Sequence, residues 1–324
     1  MTHHSPETSD SAQSRHRVGG PAADPDRSGP SVVALGGGHG LAASLRAART
    51  YAGAIAGVVS IGDDGGSSGR LRLDLGVAPP GDLRRCLSAL AAEDSLLAQS
   101  LEHRFDVGSL QGHPIGNILL TGLALVANDL QQGIDEIGRL IGATGRIFPA
   151  TEVPVTLIAD SDTGTLAGQV TIERAAGIRN LRFDPTDPPV SAAAVDAVRT
   201  ADQVLIGPGS LFTSVLATAV VPAIRQALAE TSAQRVFIAN VANEKADARG
   251  FGLAEHLQAV ADHGVSIDAV VATAGPATAD GPVVGGSPLA SVAGCPVTVA
   301  DLAAEDGWSH DPVKLGLVLA DLLG

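Results

Sequence analysis

Val58-Val59-Ser60-Ile61-Gly62-Asp63-Asp64-Gly65-Gly66-Ser67-Ser68-Gly69-Arg70 decides how this chain is read. Val58, Val59 and Ile61 suit a sheet interior, where β-branched side chains pack on the pleated surface. The residues that follow are two acids and a run of small residues, which reads as a loop outside the core, closed by Arg70. Clusters of Gly, Ser and Asp are often plain surface turns. Two further glycine-rich turns accompany this one, Gly36-Gly37-Gly38-His39-Gly40 and Gly207-Pro208-Gly209-Ser210, each directly after an apolar run. Backbone N–H groups, two carboxylates and a cation brought together suit a polar ligand.

Outward from this stretch the pattern is regular. Val32–Leu35 reads as a strand, Leu41–Thr50 as a helix with Leu41, Leu45 and Ala48 on one face, and Ile55–Ile61 as a second strand. That is a βαβ unit. Pro79-Pro80-Gly81-Asp82 interrupts, and Asp82 reads as the N-cap of a helix over Leu83–Ala92. Helices are also predicted over Ser95–Arg104, from Gly112 through Leu130, and over Ile134–Ile141. Strands at Val155–Ile158, Leu166–Ile172 and Ile178–Phe183 have no long helix between them, so they form an antiparallel meander or an extension of the sheet edge. Then come a helix (Ala192–Arg199), a strand (Gln203–Ile206) and a helix over Leu211–Glu230 interrupted at Pro222. A strand (Arg235–Asn240), a helix (Leu253–His263), strands at Asp268–Val271 and Pro296–Val299 and a helix (Val313–Leu323) complete the chain.

Strands alternating with helices predict an α/β fold, a mostly parallel sheet covered by helices on both faces. Residues 1–29 are rich in Ser, Pro, Asp and His and cannot bury enough apolar surface to order themselves, so they read as a disordered tail. Residues 30–324 read as a single α/β domain with a helix-rich insertion at about 82–142.

Composition narrows the function. Formal net charge is −14, with aromatic residues at 2%. That excludes a broad basic footprint or a stacking platform for nucleic acid. Cys86 and Cys295 are too few for a disulfide framework or a zinc site. No apolar run reaches the roughly 18 residues that span a bilayer, and the start of the chain lacks a signal pattern. The expectation is a cytoplasmic protein with no nucleic-acid partner and no membrane span. A homo-oligomer is left open.

Ligands of parallel α/β sheets bind beyond the carboxyl ends of strands. Gly36, Gly37, Gly38, His39 and Gly40, then Gly65, Gly66, Ser67, Ser68 and Gly69, then Gly207, Pro208, Gly209 and Ser210 all follow predicted strands. Glycines let the backbone approach a phosphate at a helix N-terminus, so the expected ligand is anionic and phosphorylated. Neither a Walker A nor a full dinucleotide fingerprint is present, since no Gly-Lys-Ser/Thr follows and Leu41 stands where the third glycine would be. Asp63 or Asp64 together with Asp82 could hold Mg²⁺, which takes one or two carboxylates plus substrate phosphates. Neighbours in extended chain point opposite ways, so one acid of the pair faces the ligand. Arg70, Arg72, Arg84 and Arg85 could neutralise phosphate, or pair with Asp74 and Asp82. His113 could bind phosphate or cap the helix it precedes, with Asn117 one turn on. Asn240, Asn243 and Glu244 could reach a base or sugar hydroxyls.

Leu35–Leu41, Asp63–Leu71, Pro79–Arg84, Gly112–Asn117 and Leu205–Ser214 resemble, in order, the signatures of the bacterial gluconeogenesis factor family. That family is similar to the 2-phospho-L-lactate transferase (CofD-like) family. The resemblance implies a Rossmann-like core, a cytoplasmic location and binding of UDP-sugars such as UDP-N-acetylglucosamine. It also implies a regulatory role in growth and cell shape on gluconeogenic carbon sources, and adds Thr213 to the ligand residues. In the transferase relatives, Mg²⁺-binding aspartates would fall at Asp64 (or Asp63) and Asp82. The chain departs from the family pattern at His39 and after Asn240. Two functions are carried forward: a UDP-sugar-binding regulator without turnover, and a Mg²⁺-dependent phospholactate transferase-like enzyme.

Overall fold

The structure, a computed structural model, describes residues 28–242, 248–273 and 291–324. The tail expected over 1–29 therefore falls outside the described residues, except for Ser28 and Gly29. The chain opens with β1 (Ser31–Gly36), α1 (Gly38–Ala48) and β2 (Ala54–Val59). β1 and β2 pair in parallel from Ser31↔Ala54 to Gly36↔Val59, so the βαβ unit forms as the apolar runs predict.

Five helices follow: α2 (Gly66–Leu75), α3 (Gly81–Leu90), α4 (Leu96–Glu102), α5 (Ile115–Ala127) and α6 (Leu130–Leu140). They lead to β3 (Arg146–Pro149), which joins the free edge of β2. At four residues β3 is too short to show a period. α3 packs on α1, β2 and β3. Its Leu83, Leu87 and Leu90 share one core with Leu41 and Leu45.

β4 (Thr156–Ser161), β5 (Gly164–Ala167), α7 (Gln169–Glu173) and β6 (Arg179–Asp184) come next. The strands form a separate antiparallel sheet in the order β5-β4-β6, neither paired to the main sheet nor extending it. The strand expected over Leu166–Ile172 stops at Ala167. Gly168, at φ +91°, turns the chain, and Gln169–Glu173 winds into α7.

The second half alternates. It contains α8 (Ala192–Thr200), β7 (Gln203–Ile206), and a π-helical stretch at Leu211–Leu216 that continues into α9 (Ala217–Ala219). α10 (Pro222–Glu230) starts with the predicted interruption, Pro222 sitting at its first position where a missing N–H costs nothing. β8 (Gln234–Ile238), α11 (Leu253–Asp262), β9 (Ala269–Thr273), β10 (Ser291–Val292), β11 (Cys295–Ala300) and α12 (Pro312–Asp321) follow.

The main sheet runs β10-β11-β9-β8-β7-β1-β2-β3, parallel except for the short edge strand β10. Alternate side chains of one strand serve two cores, as a sheet covered on both faces requires. Val33 and Leu35 enter the core beside α8 and α10, while Val32 and Ala34 enter the one beneath α1, α3 and α12. The chain leaves β1 toward β2 and β3, then returns on the other side of β1 through β7. The strand order therefore reverses between β1 and β7, where α/β sheets open a ligand crevice.

Among the described residues no single helix is long and apolar enough to cross a membrane. Leu211–Ala219 with Pro222–Glu230 passes only as a pair bent by 68°, and its Leu211, Phe212, Val215 and Ile224 are buried core.

Candidate functional site

The first and third glycine turns meet at the reversal point. α1 begins inside the first turn, at Gly38. A Cβ on Gly40 would run into the Pro208 carbonyl, so only glycine lets the two backbones touch. Ser44 Oγ donates to the Gly207 carbonyl at 2.7 Å, and Thr218 Oγ1 donates to the Gly36 carbonyl at 3.0 Å. Asn240, just past β8, grips the Gly209 peptide. Its Oδ1 accepts the Gly209 N–H at 2.8 Å and its Nδ2 donates to the Gly209 carbonyl at 3.0 Å. The Asn240 amide is thus occupied in fixing the turn rather than reaching out to a base or sugar.

These turns form one wall of a cleft of about 110 Å³, with His39, Ser210 and Asn240 among its lining. The start of α1 carries partial positive charge, part of it met by the Asp82 carboxylate, which accepts the Gly38 N–H. Trp308, Ser309 and His310 line the same cleft, from a loop that carries no motif in the sequence. The one signal that could have found it is that Trp308 is the only tryptophan of the chain. Thr213 lies below, buried, with Oγ1 unpartnered. Asn243 and Glu244 lie outside the described residues.

A second cleft, of about 240 Å³, opens past β2 between α2, α3 and the start of α5. The small residues expected to be a loop are the first turn of α2. Hydrogen bonds fix them: Ser68 Oγ accepts the Gly81 N–H at 3.1 Å, and Ser67 Oγ lies 2.8 Å from His113 Nδ1 and accepts from Asn117 Nδ2 at 3.0 Å. Ser67, Ser68 and Asn117 are buried. The second turn thus resembles the other two in leading into a helix.

The two adjacent acids part company. Asp63 Oδ1 accepts the Gly65 N–H at 2.9 Å, and Asp63 lines the second cleft with Asp82. Asp64 Oδ1 instead accepts the Val170 N–H at 3.0 Å, at the N-terminus of α7. The fold therefore sets Asp63, rather than Asp64, in the cleft with Asp82. Asp82 is not the N-cap of α3 either. Pro80 holds that position, and the Asp82 carboxylate pairs one turn along the same helix with Arg85 at 2.8 Å and sits against the Gly37–Gly38 backbone. Burial pushes the Asp82 carboxyl up to about 6, with Asp63 adding to the shift and Arg85 opposing it. Burial also raises Asp63.

The arginines divide in the same way. Arg84, 2% exposed, reaches Glu102 at 3.2 Å and leaves Nε unpartnered, and Arg84, Arg85 and Arg104 line the second cleft. Arg70 donates to the Gln111 carbonyl at 3.1 Å and Arg72 to the Val155 carbonyl at 2.9 Å, so both are turned elsewhere. Burial, then Arg70, lowers the His113 imidazole, and burial followed by Arg85 lowers His39. Among the described residues no three His, Cys, Asp or Glu side chains gather as a metal site. Asp63 and Asp82 alone fit a Mg²⁺ ion that brings water and phosphate as its remaining ligands.

Comparison with known proteins places the chain in a family. Residues 32–281 match the model of the 2-phospho-L-lactate transferase CofD family. A Mycobacterium tuberculosis (strain H37Rv) protein provisionally named as a gluconeogenesis factor is 42% identical over 305 residues, 89% of each chain. The gluconeogenesis factor of Bacillus subtilis (strain 168) is 34% identical over 237 residues, 72% of this chain and 75% of its own. A crystal structure of a UPF0052-family protein from Bacillus halodurans superposes with a TM-score of 0.83 at 32% identity, covering 90% of this chain and 99% of that one. The chain belongs to the CofD family, among the relatives that carry the name gluconeogenesis factor.

Proposed function

We propose that this chain is a cytoplasmic UDP-sugar-binding regulator, taking a ligand of the UDP-N-acetylglucosamine type and acting in growth and cell shape on gluconeogenic carbon sources. The observation that carries the reading is the meeting of the Gly36–Gly40 and Gly207–Ser210 turns at the β1/β7 reversal. There, backbone N–H groups and the start of α1 face one cleft. A diphosphate suits that wall, because glycine permits close backbone approach and the helix terminus favours negative charge. Arg84 and Arg85 line the second cleft, whose Asp82 also touches the first glycine turn, and supply cationic groups for the rest of such a ligand. The name gluconeogenesis factor carried by the relatives supports the gluconeogenic part of the reading.

The test is a thermal-shift series. UDP-N-acetylglucosamine at millimolar concentration raises Tm by mass action, whereas NAD and GTP do so less. Equal shifts from all three, or none from the UDP-sugar, would sink it.

A second reading, a Mg²⁺-dependent transferase of phosphate-containing groups, is favoured by one observation: two carboxylates with raised pKa share a cleft with arginines. In that reading Asp63 and Asp82 hold the ion, which would neutralise phosphate charge, and Arg84 and Arg85 orient the group transferred. Turnover of a UDP-sugar or a phospholactyl nucleotide that vanishes on chelation would favour it over the first reading.

A further inference from the structure

The Trp308 loop lines the first cleft together with the glycine turns, and the phosphate reading makes no use of it. It is a built element. Asp306 ties it down by accepting the Trp308 N–H at 2.8 Å, the Ser309 N–H at 2.9 Å and the Ser309 hydroxyl at 2.6 Å. A β-bridge between Ala303 and His310 closes its base, and the N-cap Asp311 of α12 follows at once. So held, the loop leaves the single indole of the chain 54% exposed at the cleft.

His310 is the reverse case. It is 6% exposed, lines the same cleft, and has Nε2 without a hydrogen-bond partner. A buried polar atom left unpaired costs free energy unless a ligand meets it. Two other polar side chains of this cleft are engaged: Asn240 has both ends of its amide taken by Gly209, and the buried His256 holds the Gly252 carbonyl through Nδ1. Among the described residues lining this cleft, His310 is the one with a buried side-chain atom left unpartnered.

We propose that this loop is the base-reading subsite of the cleft, Trp308 stacking on a heteroaromatic base and His310 accepting a ring N–H from the base edge. The inference rests on the nucleotide reading above and adds to it the recognition of the base. An indole face stacks on any base, so it supplies affinity. Burial holds the His310 imidazole down to about 4, against the Ala239 carbonyl that takes one ring N–H. The ring is therefore neutral at physiological pH, with its second nitrogen an acceptor. Such an acceptor selects a base that offers an N–H, as the imide of uracil does, and discriminates against one methylated there.

Trp308 is the only tryptophan, so it reports on its own site. The full chain is titrated with UDP, with N3-methylated UDP and with N-acetylglucosamine 1-phosphate, following both tryptophan fluorescence and heat. UDP is expected to quench the fluorescence saturably, and the sugar phosphate, which has no base, leaves it unchanged. Trp308→Ala raises the calorimetric Kd for UDP roughly tenfold, Trp308→Phe recovers most of that loss, and N3 methylation weakens binding to the native chain by a similar factor. Calorimetric binding of UDP with unquenched fluorescence, and an unchanged Kd in Trp308→Ala, would overturn the base subsite while leaving the nucleotide reading standing. If no nucleotide binds the native chain by calorimetry, the nucleotide reading falls and the subsite with it.

Discussion

Asn240 closes on the peptide of Gly209 from both sides, accepting its N–H at 2.8 Å and donating to its carbonyl at 3.0 Å. One side chain from the end of β8 thereby sets the conformation of the turn after β7. Asn240→Ala should lower stability by about 1–3 kcal/mol, since it leaves a partly buried donor and acceptor unmet. It should also reduce the thermal shift given by a UDP-sugar by more than that stability loss explains. Urea denaturation and ligand titration of the same variant check it. Unchanged binding would show that the turn holds itself.

Asp63 and Asp64 should behave oppositely although they are neighbours. Asp64 caps α7 through Val170, so Asp64→Asn should cost on the order of 1 kcal/mol and leave ligand binding and any Mg²⁺ response as they were. Asp63→Asn should alter the Mg²⁺ response, because Asp63 lies in the second cleft with Asp82. Calorimetry with and without Mg²⁺ separates the two. Loss of a metal response in Asp64→Asn alone would return the metal to Asp64.

Asp82 predicts a pH dependence with a definite sign. Its carboxyl is raised from 3.8 to about 6 in the folded chain. Between those values the folded state holds more protons than the unfolded one, so stability falls as pH rises from about 4 to about 6. The two-unit shift corresponds to at most about 3 kcal/mol. Asp82→Asn should flatten this part of the stability profile and be no less stable than the native chain at pH 7. Mg²⁺ competes with the proton for the pair, so any stabilisation by Mg²⁺ should be larger at pH 7 than at pH 5. Denaturant midpoints from pH 4 to 8 test both statements.

Gly40→Ala should be among the costly single substitutions. The added methyl meets the Pro208 carbonyl, which belongs to backbone and cannot rotate away. A stability loss above 2 kcal/mol is expected, with loss of UDP-sugar binding, because both phosphate-facing turns must separate. Gly66→Ala is the contrast. Nothing lies within 4 Å of its added methyl, and its φ of +50° alone sets a cost of about 1 kcal/mol. Thermal denaturation of the two variants side by side makes the comparison.

The main sheet was legible because its strands are apolar runs bounded by glycine and proline, and burial on both faces leaves little room for other patterns. Gln203–Ile206 and the break at Pro222 fall where the residues place them. β3, four residues long, gives no period to read. α7 was hidden because Val170-Thr171-Ile172 carries β-branched residues that favour strands. Gly168 and the Asp64 carboxylate override that preference from outside the segment.

Three strands ending in glycine-rich turns are legible from composition, and with them the expectation of a polar ligand at the carboxyl edge of a parallel sheet. Local composition suffices for that, since only glycine permits such backbone and only apolar runs make such strands. Which acid of Asp63–Asp64 turns inward was decided by tertiary structure alone, because each carboxylate follows the nearest unpaired N–H groups, and α7 lies 106 residues along the chain from Asp64. The Trp308 wall was decided in the same way. A lone aromatic in a loop has no period and no motif, and it acquires meaning only when the fold brings residue 308 to the cleft that residue 39 also lines.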